Sequence, residues 1–191
     1  MRRRPAGPPA SAARPHHRGV GRSSSRTAES VSDALRRGAD PFVARRRRVG
    51  GLTLGAMASL GAVASYQFGL VRHLPEPAAR LLDADRVDAS GEAYQYLRTP
   101  DAALGLASYA ATLVLAGRRA DQPPAAHPWL SLALGAKVAA DAAGGLLLTL
   151  EQGTRHRRFC SWCVAAAALS VATVPQVVPE VRAAWRALRR S

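Results

Sequence analysis

Two cysteines, Cys160 and Cys163, are the residues of this 191-residue chain best suited to chemistry, and they are its only cysteines. On an α-helix, residues three apart lie on one face, so these thiols can close into a disulfide and reopen. The positive end of a helix dipole favours a thiolate at the N-terminus, and Arg157 and Arg158 lie just before the pair. The spacing predicts a redox-active pair, with Cys160 nearer to water and Cys163 one turn deeper.

Other uses of a Cys-x-x-Cys pair fit this sequence less well. Structural zinc wants four ligands, and only His156 is nearby, so we predict no metal site. Covalent haem attachment requires a histidine directly after the second cysteine, and Val164 occupies that position. The remaining alternative is that the two thiols are inert small apolar residues.

The elements that must position the pair are four apolar runs, at about 49–71, 101–117, 128–150 and 159–181. At about 1.5 Å per residue, the first is long enough to cross a hydrocarbon core of roughly 30 Å. None of them shows the alternation of a strand. A soluble protein with alanine-rich helices is the rival, but short charged loops between apolar runs favour the membrane. The sequence predicts an all-α fold, an integral membrane four-helix bundle over residues 49–182.

Residues 1–48 form an arginine- and proline-rich arm with thirteen arginines and three acids, a net charge of +10. Few large apolar residues occur there, so we predict a disordered arm with a transient helix near 29–37. Its last cluster, Arg45 to Arg48, directly precedes the first apolar run, which favours contact with anionic lipid headgroups or a solvated tail that sets topology. Because no aromatic residues interleave with the arginines, we predict no nucleic-acid partner.

The distribution of arginines also predicts orientation. Basic residues gather on the cytoplasmic side of a membrane, and they cluster here before the first run, between the second and third runs, and in the tail at 183–191. We therefore predict a multi-pass protein of the cell membrane with both termini cytoplasmic and Cys160 near the outer face. Arg155, Arg157 and Arg158 in the third loop disagree with this orientation. An oxidising outer compartment would favour disulfide chemistry.

Three segments carry a resemblance to a known family. They are Phe159-Cys160-Ser161-Trp162-Cys163, then 88–94 (DASGEAY), then 99–110 (TPDAALGLASYA). In this order and spacing, residues from about 50 to 182 resemble the vitamin K epoxide reductase family. The resemblance implies four membrane helices with a catalytic Cys-x-x-Cys at the start of the last helix, close to a quinone.

The family likeness also implies roles for individual residues. Cys160 and Cys163 would be catalytic, with Cys163 facing a quinone of menaquinone or ubiquinone type and Cys160 exchanging with protein thiols. Ser90, Asp101 and Trp162 would contact the quinone. The expected activity is that of a quinone-linked thiol–disulfide oxidoreductase in contact with membrane lipid.

Several positions depart from the family pattern. The first outer loop lacks the family's second cysteine pair, and Asp85 falls about where one would be expected. Asp101 stands where the family has an asparagine, and it could instead be a helix N-cap. Ala167 replaces a tyrosine found in some members. Without loop cysteines, an external thioredoxin-like protein would have to reach Cys160 directly. The alternative is a non-catalytic membrane scaffold with inert thiols and a lipid- or partner-binding arm.

Four further polar residues lie in or beside the third run. Lys137 and Asp141 are spaced i, i+4 and can pair, and because a charge in the membrane is costly, they should face the bundle interior or its cytoplasmic boundary. Such a pair would be structural or would serve proton transfer or quinone contact. Glu151 and Gln152 would be boundary residues or would contact Cys160.

Overall fold

A computed structural model describes residues 25–190 and confirms the all-α four-helix bundle. In chain order the helices are α1 (Arg26–Arg37), α2 (Pro41–Gln67), α3 (Ala84–Asp88), α4 (Asp101–Gly117), α5 (Pro128–Glu151) and α6 (Ser161–Leu188). Within this described part there is no strand, only a single bridge between Leu82 and Phe159. Helices α2, α5 and α6 are long and apolar enough to cross a membrane, and α4 is a shorter apolar helix.

The first membrane helix begins at Pro41, eight residues earlier than the predicted start at residue 49. Asp40 is its N-cap, with Oδ1 accepting from the N–H of Phe42 at 2.7 Å and of Val43 at 3.2 Å. A proline at the first helical position already has the φ angle that a helix needs. The arginines at 45–48 therefore belong to α2. At the other end of the bundle sequence, α6 continues to Leu188, beyond the predicted end at residue 181.

The arm predicted to be disordered over residues 1–48 is described only from residue 25 onward, and there the structure has a helix where a transient helix near 29–37 was predicted. Residues 1–24 lie outside the described residues. From Arg26 to Arg37 the chain is helical, because Ser25 caps the helix by accepting from the N–H of Ala28 at 3.2 Å. The hydroxyl of Ser30 also donates to Asp121 at 2.7 Å, which ties α1 to the loop between α4 and α5.

Helices α2, α4, α5 and α6, the four long helices of the bundle, pack through small residues. Helix α6 packs against both α2 and α5, and α4 packs against α2. A Cβ atom at Gly145 of α5 would lie 3.1 Å from the Cα of Ala167, so glycine permits a close approach of α5 and α6. In membranes, where the surrounding lipid is itself apolar, such close packing is a main source of helix association.

A buried ion pair joins the helices at the end of the bundle where α2 begins. Arg46 of α2 and Glu180 of α6 are 7% and 2% exposed, and Nη2 of the arginine lies 2.6 Å from Oε1 of the glutamate. Arg46 also donates to the carbonyl of Arg118 beyond α4 at 2.7 Å, and Ser131 of α5 donates to Glu180 at 2.7 Å. One cluster thus links all four long helices.

At the opposite end, the segment between α2 and α4 (residues 68–100, the connecting segment) folds over the N-terminus of α6. The N–H of Phe159 donates to Leu81 at 2.8 Å, and the N–H of Asp83 donates back to Phe159 at 3.0 Å. The carboxylate of Glu76 accepts from the N–H of Ala84 at 2.5 Å and of Ser161 at 2.6 Å. Glu76 therefore caps the N-termini of α3 and α6 together.

Candidate functional site

Cys160 and Cys163 lie at the N-terminus of α6, under the connecting segment. Cys160 is the N-cap of the helix, and its sulfur accepts from the N–H of Cys163 at 3.2 Å. Both cysteines are free, and their sulfurs and the carboxylate of Asp88 lie within 4.8 Å of one another. Two thiols at this separation need only side-chain rotation to approach disulfide distance, so the geometry is compatible with the predicted redox pair.

The depth order of the two thiols is the reverse of the prediction. Cys160 is fully buried, whereas Cys163 is partly exposed and lines a cavity. The prediction that Cys160 lies nearer to water is therefore wrong. Cys160 is buried because the connecting segment covers the N-terminus of α6. Glu76 of that segment accepts from the N–H of Ser161, and the carbonyl of Pro75 accepts from the indole of Trp162 at 3.0 Å.

The cavity has a volume of about 330 Å³ and a mainly apolar wall. It lies between α4, α5, α6 and the connecting segment, with Leu60 of α2. Lining residues with polar side chains include Asp88, Ser90, Glu92, Asp101, Ser108, Tyr109, Asp141, Gln152 and Cys163. Of the residues expected at a quinone site, the cavity brings together Ser90, Asp101 and Cys163. Trp162 does not line it, and its indole contacts the connecting segment instead.

Asp88 is the carboxylate closest to the thiols. It ends α3, is 2% exposed, and its Oδ1 lies 3.6 Å from the sulfur of Cys163. Its Oδ2 is buried and has no hydrogen-bond partner among the described residues. Burial, with a smaller contribution from the nearby carboxylate of Asp101, raises the pKa of Asp88 to about 6. A carboxyl group that titrates near neutral pH can take up and release a proton beside the thiols.

Asp88 stood in the sequence only as part of a resembling segment, and its role was missed. An acid at the end of a short helix gives no local sign of burial. Only the fold of the connecting segment over α6 brings its carboxylate to Cys163. Glu76 was missed for the same reason, because its two helix caps join residues that are far apart in sequence.

Asp101 is not the N-cap of α4. Pro100 holds that position, and Asp101 is the first helical residue. Its Oδ1 accepts from the side-chain N–H of Gln67 at 2.7 Å, while the other end of that amide accepts from the N–H of Ala102 at 3.3 Å. Gln67 at the end of α2 therefore fixes the Asp101 carboxylate at the cavity wall.

The end of α5 supplies a contact to Cys160. After Glu151 the helix continues as one π-helical turn, Gln152–His156. This turn directs Gln152 inward, where it is 7% exposed and accepts from the N–H of Cys160 at 3.1 Å. Glu151 is the boundary residue and pairs with Arg155 at 2.9 Å. Of the two alternatives for this pair, contact with Cys160 therefore holds for Gln152 alone.

Asp85, at the position expected for a loop cysteine, holds the connecting segment together. Its Oδ2 lies 2.6 Å from Nδ1 of His73, and its Oδ1 accepts from the N–H of Leu74 at 3.0 Å. Arg155, whose positive charge disagreed with the predicted orientation, pairs with Glu92 of the same segment at 3.1 Å. Both contacts hold the connecting segment in place over the thiols.

The paired charges of α5 reach the deeper part of the cavity wall. Lys137 and Asp141 pair at 2.5 Å, as their spacing predicted. The hydroxyl of Ser108 on α4 donates to Asp141 at 2.7 Å and accepts from Lys137 at 2.8 Å. Thr112, one turn further along α4, does the same at 2.6 and 3.2 Å. Asp141 and Ser108 both line the cavity.

Comparison with known proteins agrees with this arrangement. The model of the vitamin K epoxide reductase family matches residues 49–178, which cover α2 from Val49, the connecting segment, α4, α5 and α6 as far as Val178. No curated protein and no solved structure matches the chain. From the family match, which covers more than half of the sequence, we conclude that this chain belongs to the vitamin K epoxide reductase family.

Proposed function

We propose that this membrane protein is a quinone-linked thiol–disulfide oxidoreductase in which Cys160 and Cys163 form the redox pair. The observation that carries the proposal is the position of Cys163 and Asp88 on the wall of a mainly apolar cavity of about 330 Å³. Volumes of a few hundred Å³ with a few convergent polar groups are typical of small-molecule sites. A membrane-soluble quinone of menaquinone or ubiquinone type matches this combination of an apolar wall and polar contacts.

In the direction of thiol oxidation, two S–H bonds break, one S–S bond forms, and two electrons pass to the quinone. The quinone takes up two protons and becomes a quinol, so atoms and charge balance. Cys163, which faces the cavity, reacts with the quinone, and Asp88 accepts its proton. Ser90 and Asp101 would contact the polar edge of the quinone, whereas Trp162 would hold the cover of the site.

The thiol partner would be an external thioredoxin-like protein. Because Cys160 is fully buried, such a partner can exchange with it only when the connecting segment moves aside. The hydrogen bonds from Ser161 and Ala84 to Glu76 are among the contacts that must open. Thiol exchange requires direct sulfur–sulfur contact, so this movement would precede the reaction.

The orientation remains a proposal: both termini cytoplasmic, with the thiol end of the bundle at the outer face of the cell membrane. The arginines at 45–48 and in the tail support it. Labelling of a C-terminal tag by a non-permeant reagent in intact cells would contradict it.

Oxidation of the thiols by quinone tests the function directly. The reduced protein in nanodiscs should form the Cys160–Cys163 disulfide when short-chain ubiquinone or menaquinone is added, with one quinol formed per disulfide. Alkylation followed by mass spectrometry measures the thiols. Cys163→Ser should form neither product. If the wild-type thiols stay reduced with both quinones yet are oxidised by diamide, the inert-thiol scaffold replaces the enzyme.

Filling the cavity with a larger side chain tests whether the quinone binds there. Gly144 lines the cavity, and a Cβ atom there would meet nothing within 4 Å. Gly144→Leu should preserve the fold, because leucine is a better helix former than glycine. The quinone would have to displace a buried leucine at about 2 kcal/mol, so KM should rise more than about tenfold. Gly61→Leu, at an equally open glycine of α2 away from the cavity, should leave KM unchanged.

A further inference from the structure

Two ion pairs are placed among the long helices, and only one of them borders the cavity. Arg46–Glu180 lies where α2 begins and joins four helices. Lys137–Asp141 lies within α5, and both Asp141 and its partner Ser108 line the cavity. Ionisable groups within membrane helices are costly and mark functional sites by default. The first pair is accounted for by the helices it joins, whereas the second requires a reason at the cavity.

The Lys137 network is held at a defined depth. Ser108 is seven residues further along α4 than Asp101, so it lies about 10 Å deeper along the helix. All four of Asp101, Cys163, Ser108 and Asp141 line the cavity, so its wall carries polar groups both near the thiols and about two helical turns further along α4. The cavity therefore has polar groups at two levels, separated by apolar and small residues such as Leu104 and Gly105.

The hydrogen bonds of the network show which groups donate and which accept. Lys137 donates to Asp141, Ser108 and Thr112, which uses all three of its donors. The hydroxyl of Ser108 accepts from this ammonium group and now donates to Asp141. A rotation of that hydroxyl would point the same hydrogen into the cavity, with Lys137 behind it as the proton source.

We propose that Ser108, backed by the Lys137–Asp141 pair, is a second ligand contact of the cavity and donates a proton to the quinone oxygen that lies away from the thiols. This inference rests on the proposed function. A quinone carries two oxygens on opposite edges of its ring, and the thiols with Asp88 can serve only the nearer one. The farther oxygen needs its own donor at the inner level of the cavity.

The protons balance in this scheme. The nearer oxygen receives the proton that Cys163 gives up through Asp88. The farther oxygen receives a proton through Ser108 from Lys137, which regains one from water. The proton of Cys160 leaves to water when the disulfide forms. One proton is thus taken up and one released, in addition to the two electrons that pass from the thiols to the quinone.

A charge-neutral double variant separates this role from a structural one. In Lys137→Met/Asp141→Leu, both charges are removed together, which usually leaves stability unchanged or raised. We expect this variant to fold and to react with diamide at the wild-type rate, but to be oxidised by quinone about 100-fold more slowly, the size typical of a lost general acid. Lys137→Arg keeps a cation beside Asp141 but cannot give up a proton, so it should remain slow in the quinone reaction. The matched control is Arg46→Met/Glu180→Leu, which removes the other pair and should keep the quinone rate.

The outcomes are distinct for the two proposals. If Lys137→Met/Asp141→Leu is oxidised by quinone as fast as the wild type, the proton-donor role is overturned and the oxidoreductase function stands. If both double variants are slowed alike, the effect belongs to the bundle and the proposal is overturned. If the wild type itself shows no quinone-dependent oxidation, the proposed function and this inference fall together.

Discussion

Replacing Asp88 with asparagine is expected to slow quinone-dependent oxidation of the thiols about 1000-fold, within the range that general acid–base groups contribute. Asparagine has nearly the same shape but cannot accept the proton of Cys163, whose sulfur lies 3.6 Å from Oδ1. The rate of disulfide formation with a short-chain quinone, measured in nanodiscs, tests this. Asp85→Asn is the matched control, because Asp85 lies in the same connecting segment and contacts His73 and Leu74 rather than a thiol.

The pH dependence gives this prediction a second measurement. Because burial raises the pKa of Asp88 to about 6, the wild-type rate should fall below pH 6, where the carboxyl group is protonated and cannot accept a proton. The Asp88→Asn variant should lack this acid limb. A variant that keeps both the rate and the acid limb of the wild type would exclude Asp88 as the proton acceptor.

The stability contributed by Asp88 should depend on pH in the direction opposite to the rate. The pKa of Asp88 in the folded protein lies above its ordinary value, so its contribution to stability is fully present at low pH and is lost as pH rises through about 6. Above that pH the wild type holds a buried charge that the variant lacks. Asp88→Asn should therefore be at least as stable as the wild type at pH 8, which separates loss of chemistry from loss of fold.

The helices and the thiol pair could be predicted from sequence because both are local features. Apolar runs of membrane length and a three-residue cysteine spacing require no knowledge of the fold. The start of α2 was placed too late because apolarity alone was used, although Asp40-Pro41 is an N-terminal signature that could have located it. The pairing of Lys137 with Asp141 was likewise readable from an i, i+4 spacing.

The parts of the site that sequence missed depend on chain segments distant from each other. The burial of Cys160 and the placement of Asp88 both follow from the connecting segment, which folds over α6 through Glu76. The contact from Gln152 depends on a π-helical turn that shifts the register at the end of α5. Hydrophobic periodicity carries no information on such contacts. The sequence therefore predicted where the thiol pair lies, but not which residues surround it.

Glu180→Ala is expected to destabilise the bundle by about 3–5 kcal/mol, the usual effect of removing one partner of a buried ion pair. The substitution leaves the guanidinium of Arg46 buried without its carboxylate, and it removes the acceptor of Ser131. Thermal unfolding in detergent measures the change. Asp33→Ala is the control, since the pair of Asp33 with Arg37 is exposed, at 46% and 66%, and should contribute at most about 1 kcal/mol.

The remaining contacts of Arg46 determine how the Glu180 variants should rank. Glu180→Gln places an amide oxygen and an amide nitrogen where the two carboxylate oxygens lie. Ser131 therefore retains an acceptor, but the charge of Arg46 stays uncompensated. It should therefore fall between the wild type and Glu180→Ala. Arg46 lies 21 residues before Gln67 on α2, about 30 Å along the helix, so the thiol end should keep its geometry in the folded fraction. A Glu180→Ala variant that unfolds at the wild-type temperature would show that this pair does not hold the helices together.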